Sequence, residues 1–322
     1  MTGDFKLLAQ WLREHDRIAI VPHVNPDGDA LGSGLALQAI LRRIGKQACL
    51  VLKEPAPAMF RFLPGCGGIA ETAPFEAACL LFEDVSDLKR RGDGGSHQRA
   101  ELPSAMLDHH ETTQGFCDVN AVDGKAAATG VLVMRLMREM GISADRELAV
   151  WLYTAISTDT GNFSFSNTDA EAARCLAELL ETGFDLPEIN RRLYRLRSRG
   201  RTRLLGRVLN NIELYCGGRI ALSRLTAEDY RACGAVRADT EGAISYLNEM
   251  EGVQAAILAE ERPEEGVIKF SFRANGAVSV SDAAAALGGG GHRQAAGASL
   301  ACPMDEAVEK ALQAVKKAVE ES

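Results

Sequence analysis

The chain has 322 residues, 46% hydrophobic and 25% charged, with a formal net charge of −8 at pH 7. That length predicts two domains rather than one core, and the acidic balance argues against a protein that tracks long duplex nucleic acid by neutralising many phosphates, though not against a small anionic ligand held locally. No stretch approaches the roughly 20 uncharged apolar residues of a membrane span, so no membrane partner is expected.

The N-terminal MTGDFKLLAQWLREHD reads as an amphipathic helix rather than an export signal, which predicts a cytoplasmic protein. The eight cysteines (Cys49, Cys66, Cys79, Cys117, Cys175, Cys216, Cys233 and Cys302) contain no C-x-x-C pair and read as reduced, mostly buried thiols. Short apolar runs then alternate with helical patterns: RIAIVPH (17–23), a helix over 30–44, QACLVL (47–52), AACLLFED (77–84) and SAMLDHH (104–110). This rhythm predicts an α/β fold with a doubly wound, mostly parallel sheet covered by helices on both faces. Ligands of such sheets lie beyond the carboxyl ends of the strands, where three of the four strand candidates finish in titratable clusters.

Helices over about 126–140 and 145–157 lead to the loop STDTGNFSFSNTD, and further helices run to about residue 200. The basic run RRLYRLRSRGRTR (191–203) reads as a solvated helical connector. Beyond it come a hairpin, NNIELYCGGRIALSRL, a second hairpin, VQAAILAEERPEEGVIKFSFRA, a glycine run, and an amphipathic helix over 303–321. The expected organisation is a first domain over 1–190, a connector over 191–205, and a smaller α/β domain over 206–322.

Residues able to do chemistry concentrate at the strand ends. VPHVNPDGDALGSG places His23, Asp27 and Asp29 between a strand and a helix, where Asp29 could cap the helix and Asp27 favour its dipole. In an extended loop the two acids diverge, so each can face a different cation. LLFEDVSD offers Asp84 or Asp87, LDHH offers Asp108, His109 and His110, and STDTGNF supplies Asp159 at the start of a loop. If the LDHH strand persists, its two histidines point to opposite sides. The glycines of these loops do not fit G-x-G-x-x-G, and no P-loop pattern occurs, which removes the main support for nicotinamide or P-loop chemistry. Two histidines and four aspartates, without cysteine, suit two hard divalent ions such as manganese, magnesium or cobalt that share a carboxylate. SFRANGAVSVSDAAAALGGGGHRQAAGA adds Arg273, Gly289, Gly290, Gly291, His292 and Arg293, a combination of close-approaching backbone and guanidinium that suits a phosphate.

Taken in order, HVNPDGDALGS, the aspartate of FEDVSD, DHH and TDTGNF resemble the four motifs of the DHH phosphoesterase family, and GGGGHRQAAGA resembles the signature of its DHHA1 domain. The resemblance covers nearly the whole chain and favours Asp84 over Asp87. It implies a catalytic DHH domain and a substrate-binding DHHA1 domain with an active-site cleft between them. One metal would then be held by His23, Asp27 and Asp84, a second by Asp29, Asp84, His109 and Asp159, with manganese preferred over magnesium or cobalt. Asp108 would orient a neighbouring group, and His110 would face the scissile phosphate as substrate ligand and acid. Arg273, Gly289, Gly290, Gly291 and His292 would grip the nucleotide.

Among compact members of the family the resemblance points to hydrolysis of very short oligoribonucleotides (nanoRNA) to mononucleotides, with removal of the 3′-phosphate of adenosine 3′,5′-bisphosphate (pAp). Partners would be short single-stranded RNA or DNA and small phosphorylated nucleotides, in a homodimer at the family level. A phosphodiesterase of cyclic or linear dinucleotides (cyclic di-AMP, pApA, pGpG) is the alternative activity. A silent nucleotide-binding regulator is disfavoured, because it has no chemical need for all six metal ligands.

Overall fold

The computed structural model describes residues 4–87 and 102–321, so the first three residues of the N-terminal amphipathic stretch lie outside the described residues. The chain divides into two units, Met1–Leu196 and Arg197–Ser322, at a point inside the stretch read from the sequence as a connector.

In the first unit, α1 (Phe5–Glu14) is capped by Asp4, whose side chain accepts from the Leu7 amide, and it buries Leu8, Ala9, Trp11 and Leu12. There follow β1 (Ile18–Val21), α2 (Gly28–Arg43), β2 (Ala48–Leu50), β3 (Cys79–Glu83), β4 (Ser104–Asp108), β5 (Val119–Val122), α3 (Thr129–Met140), α4 (Arg146–Asp159), α5 (Ala170–Glu181), α6 (Leu186–Asn190) and a wide helical turn over Arg191–Arg195. The strands lie in the order β2-β1-β3-β4-β5, all parallel. Leu50, Ile20, Leu81, Ala105 and Val119 form one cross-strand row, and all five belong to the large core that also holds buried residues of α1 to α5. The opposite face packs Ala19, Val21, Leu80 and Phe82 against Phe75, Leu102 and Phe116, loop residues rather than helices among those described.

β5 goes beyond the sequence reading. Its four residues alternate in burial and hold only Val119, Ala121 and Val122 as apolar content, too little to stand out from a loop. The path from β1 leads to β2 on one side and then to β3 on the other, so the strand order reverses between β1 and β3. In parallel sheets that switch point opens a crevice at the carboxyl ends of the strands.

The second unit contains α7 (Arg199–Asn210), β6 (Glu213–Tyr215), β7 (Ile220–Leu225), α8 (Ala227–Cys233), α9 (Ala243–Asn248), β8 (Ala255–Arg262), β9 (Val267–Ala274), α10 (Val280–Ala286), β10 (Gly290–His292), β11 (Ala295–Leu300) and α11 (Met304–Glu320). Both hairpins read from the sequence are present, as β6–β7 and β8–β9. They sit in a mixed sheet of order β10-β11-β9-β8-β7-β6 whose one parallel pair is β7–β8. One core joins the sheet to α10 and α11, and a second joins it to α7, α8 and α9. α7 is therefore part of this unit's core through Leu204 and Val208, not a free connector.

Candidate metal centre

The first candidate ligands follow β1. His23 is 6% exposed, and its Nδ1 lies 2.8 Å from the carbonyl of Val24. With Nδ1 held by that carbonyl, Nε2 is the ring nitrogen turned toward the neighbouring acids. The helix cap falls to Asp27, whose Oδ1 accepts from the amides of Asp29 (3.0 Å) and Ala30 (3.1 Å). Asp29, read as the cap from the sequence, instead turns inward and is 1% exposed. It accepts from the amides of Thr129 (2.6 Å) and Gly130 (2.9 Å) at the start of α3 and from the Ser33 hydroxyl (3.1 Å). The two acids diverge, but not through an extended loop, in which residues two apart share a face: Asp27 caps α2 and keeps 57% of its side chain in solvent, while Asp29 lies within the helix and is buried.

Asp84 stands where β3 ends, and its backbone is left-handed, with φ +56°. Its Oδ2 lies 3.5 Å from His23 Nε2 and its Oδ1 3.5 Å from His109 Nε2. His109 Nε2 is also 3.7 Å from Asp29 Oδ2 and 3.6 Å from Asp159 Oδ2, while His23 Nε2 is 3.9 Å from Asp27 Oδ2. Separations of 3.5–3.9 Å are long for hydrogen bonds and approach the spacing of two donors on one cation with bonds of about 2.0–2.2 Å. Three groups are close enough to hold an ion: His23, Asp27 and Asp84; Asp29, His109 and Asp159; and Asp84, His109 and His110. Asp87 belongs to none of them.

β4 ends at Asp108, so the histidines that follow are not strand residues and do not point to opposite sides. Their ring centroids are 4.8 Å apart, and His110 Nδ1 also lies 3.8 Å from Asp84 Oδ1. His109 Nδ1 is held by the carbonyl of Ala126 (3.2 Å), which aims Nε2 at the acids as in His23. His110 Nδ1 lies 2.8 Å from Oδ1 of Asp108, a fully buried carboxylate whose other oxygen accepts from the Thr113 hydroxyl. Asp159 is the last residue of α4 rather than a loop residue. It is brought beside Asp29 because α2 and α4 cross closely: a Cβ on Gly32 would clash with the Trp151 carbonyl and lie 2.9 Å from the Ala155 amide.

Six non-glycine residues have positive φ among those described, and four of them (Asn25, Asp84, Asn162 and Phe163) lie in the loops that carry these ligands. Each left-handed residue costs about 1–2 kcal/mol, so the strain is concentrated where the side chains converge.

Among the described residues no lysine or arginine pairs with Asp29, Asp84 or Asp159. Burial, and then the charges of Asp84, Asp159 and Asp27, hold Asp29 well above the usual carboxylate range. Burial pushes Asp159 up to about 6 against the opposing pull of His109. His23 is pushed up to about 10: burial lowers it, but the pull of the Asp27 and Asp84 carboxylates outweighs that. A further acid, Glu83, is fully buried and neither oxygen has a hydrogen-bond partner among the described residues. Several buried carboxylates with no lysine or arginine partner and few histidines suit cations from outside the chain, and oxygen donors mixed with imidazole suit divalent ions. Thr113, Thr129 and Asn167, whose amide nitrogen donates to the carbonyls of Ala127 (3.0 Å) and Asp159 (3.1 Å), were not legible as site residues. Their partners lie up to 100 residues away in sequence.

In the second unit, His292, Ala295 and Arg273 form one cross-strand row over β10, β11 and β9, which puts the imidazole and the guanidinium on the same face of the sheet. The glycine run is not a loose phosphate loop. Gly288 ends α10's turn, Gly290 and Gly291 pair with β11, and a Cβ on Gly291 would lie 2.5 Å from Ala296 Cα. The amide of Gly289 donates to the Ala284 carbonyl (2.8 Å), and a Cβ there would clash with the Gly297 carbonyl oxygen.

A model of the DHH family, N-terminal domain, matches residues 17–156, and a model of the DHHA1 domain matches residues 230–321. The chain is 35% identical over 304 residues, covering 93% of this chain and 89% of the relative, to a Thermus thermophilus protein named bifunctional oligoribonuclease and PAP phosphatase NrnA. A Bacillus subtilis protein of the same name is 27% identical over 292 residues, covering 89% of this chain and 90% of that one. An exopolyphosphatase-related protein from Bacteroides fragilis superposes with a TM-score of 0.86 at 31% identity, covering 97% of this chain and 95% of that chain.

Proposed function

The chain belongs to the DHH family of phosphoesterases, and from that premise we propose that it hydrolyses very short oligoribonucleotides to mononucleotides and removes the 3′-phosphate of pAp. The observation that carries this reading is Asp84, whose two oxygens each face a different histidine Nε2 at 3.5 Å. The names of the Thermus and Bacillus relatives support the substrate class. His23, Asp27 and Asp84 would hold one divalent ion and Asp29, Asp84, His109 and Asp159 a second, with manganese the preferred ion. Such ions, when bound, supply positive charge to the phosphate oxygens and lower the pKa of a water toward about 7.

The chain's own residues supply the rest. The carbonyls of Val24 and Ala126 fix the tautomers of His23 and His109. Asp108 accepts from His110 Nδ1 and so stabilises the imidazolium, which leaves the Nε2 proton of His110 for the departing ribose oxygen. Thr113 holds Asp108 in that role. In the second unit, Arg273 and His292, with the backbone of Gly290 and Gly291, form a phosphate-binding group; in the first unit, His110 is the substrate ligand.

The test replaces the shared acid. Asp84→Ala, assayed with manganese on a diribonucleotide and on pAp, is expected to lose hydrolysis of both and to bind fewer ions per chain. Retained turnover at normal ion content would overturn the assignment. Wild-type protein that cleaves cyclic di-AMP but neither of the other substrates would overturn the substrate class.

A further inference from the structure

The loop after Asp159 carries an aromatic ring that neither the core nor the cation cluster uses. Phe165 is 60% exposed, the most exposed aromatic residue among those described. Single exposed hydrophobic residues are ordinary on protein surfaces, so exposure alone says nothing. What distinguishes this ring is the rigidity of its support.

Gly161, Asn162 and Phe163 are left-handed in succession, with φ +55°, +56° and +61°. The turn is held from several sides. Oδ1 of Asn162 accepts from the Tyr153 hydroxyl (3.2 Å) and the Ser157 hydroxyl (3.4 Å), and its amide donates to the Ser157 carbonyl (2.6 Å). The amides of Ser164 (2.9 Å) and Phe165 (3.0 Å) both return to the carbonyl of Thr160, the neighbour of Asp159. Two residues beyond the ring, Asn167 ties the loop back to the Asp159 carbonyl. The ring itself rests on Gly161, where a Cβ would lie 2.6 Å from Phe165 Cδ1 and closer still to its neighbours, so a side chain at 161 would displace it. Phe165 is thus a flat apolar surface fixed one tight turn from a candidate cation ligand.

The chemistry around it selects the occupant. Ser164, Ser166 and Asn167, its neighbours along the loop, are polar and exposed, so the loop offers a single ring, far less apolar surface than a protein partner or a second copy of the chain would cover. A nucleobase is planar, carries a π-face whatever its identity, and gains by stacking on an aromatic side chain that is already ordered. We infer that Phe165 is a nucleobase platform, stacking the base of the nucleotide whose phosphate lies at the cation cluster. The inference rests on the reading of the chain as a nucleotide phosphoesterase and adds its means of telling a base-bearing ester from a bare one.

The test compares Phe165→Ala and Phe165→Trp with wild type on a diribonucleotide and on the same phosphodiester with one base removed. Phe165→Ala is expected to raise KM for the diribonucleotide roughly 5- to 100-fold with kcat little changed, and to reduce the preference for it over the abasic substrate by the same factor. Phe165→Trp keeps that preference. Its added indole, against the buried Trp11 and Trp151, is expected to change fluorescence saturably when pAp is titrated. A preference unchanged in Phe165→Ala, or no fluorescence response in Phe165→Trp at pAp concentrations that saturate wild type, overturns the platform. If wild type cleaves neither substrate, the activity reading has failed on its own, and the fluorescence titration alone decides the platform.

Discussion

Cation binding to this site should expel protons, by a number the structure sets. Without metal, His23 is pushed up to about 10, because the pull of the Asp27 and Asp84 carboxylates outweighs the desolvation that lowers it. At pH 7.5 it lies about 2.5 pH units below that value, so it is more than about 99% protonated and must release its proton before Nε2 can bind a cation. Displacing that proton costs about 3 kcal/mol, on about 1.4 kcal/mol per pH unit, which weakens apparent affinity roughly 100-fold relative to pH 10. Asp29 is also held well above its usual value, by burial and then by the charges of Asp84, Asp159 and Asp27, so it acts in the same direction. Asp159, pushed up to about 6, adds a proton only at more acid pH. Loading at pH 7.5 should therefore release at least the His23 proton, and affinity should rise with pH through the neutral range. Calorimetric titration with manganese in buffers of different ionisation heat counts the protons. His23→Ala should remove one of them. Zero release in the wild type, or a count unchanged by His23→Ala, would refute the reasoning.

Three further outcomes follow from the packing. Asn167→Ala breaks the tie between the Asp159 and Ala127 carbonyls, one residue from the Ala126 carbonyl that aims His109; cation affinity should fall about 10- to 100-fold, with activity recovering in excess manganese, and an unchanged affinity would remove Asn167 from the site. Gly32→Ala drives a methyl into the Trp151 carbonyl and the Ala155 backbone; stability should fall by about 1–3 kcal/mol, read from the denaturant midpoint. Glu83 is held well above the usual carboxylate range by burial and then by the charges of Asp84, Asp29, Asp27 and Asp108, a direction that favours the neutral acid; Glu83→Gln should leave stability at pH 7 within about 0.5 kcal/mol, whereas a gain of several kcal/mol would show an ionised group.

The ligand loops were legible because charge gathers in the sequence where apolar strands stop, and in a parallel sheet those stops share one edge. His23, Asp84 and His109 follow β1, β3 and β4, three strands that are neighbours in the sheet. Local backbone geometry was not legible. Whether Asp27 or Asp29 caps α2 depends on where the helix begins, and a shift of two residues reverses which acid faces solvent and which faces α3. The opposite orientation expected of His109 and His110 assumed that β4 continued, and it ends at Asp108. In the second unit, glycines that suggested an open phosphate loop are explained in part by strand contact too close for a side chain, a long-range property that composition does not encode.

What holds the cluster together is a balance that only the fold as a whole can maintain. Asp29 and Asp84 are almost fully buried, and a buried carboxylate without a cation is costly. Two arrangements offset that cost before any cation arrives: the amides at the start of α3 hydrogen-bond Asp29, and the Thr129 hydroxyl, on that same turn, donates to Asp84 Oδ1 (3.0 Å). One helix N-terminus thus serves two of the three acids that face His109, favouring negative charge through its amides and its dipole. The glycine contacts that bring α2 against α4 set the gap between Asp29 and Asp159 to the same purpose. The acids are held ready rather than drawn together by the ion, so cation binding spends little on rearrangement, and its cost lies mainly in the displaced protons.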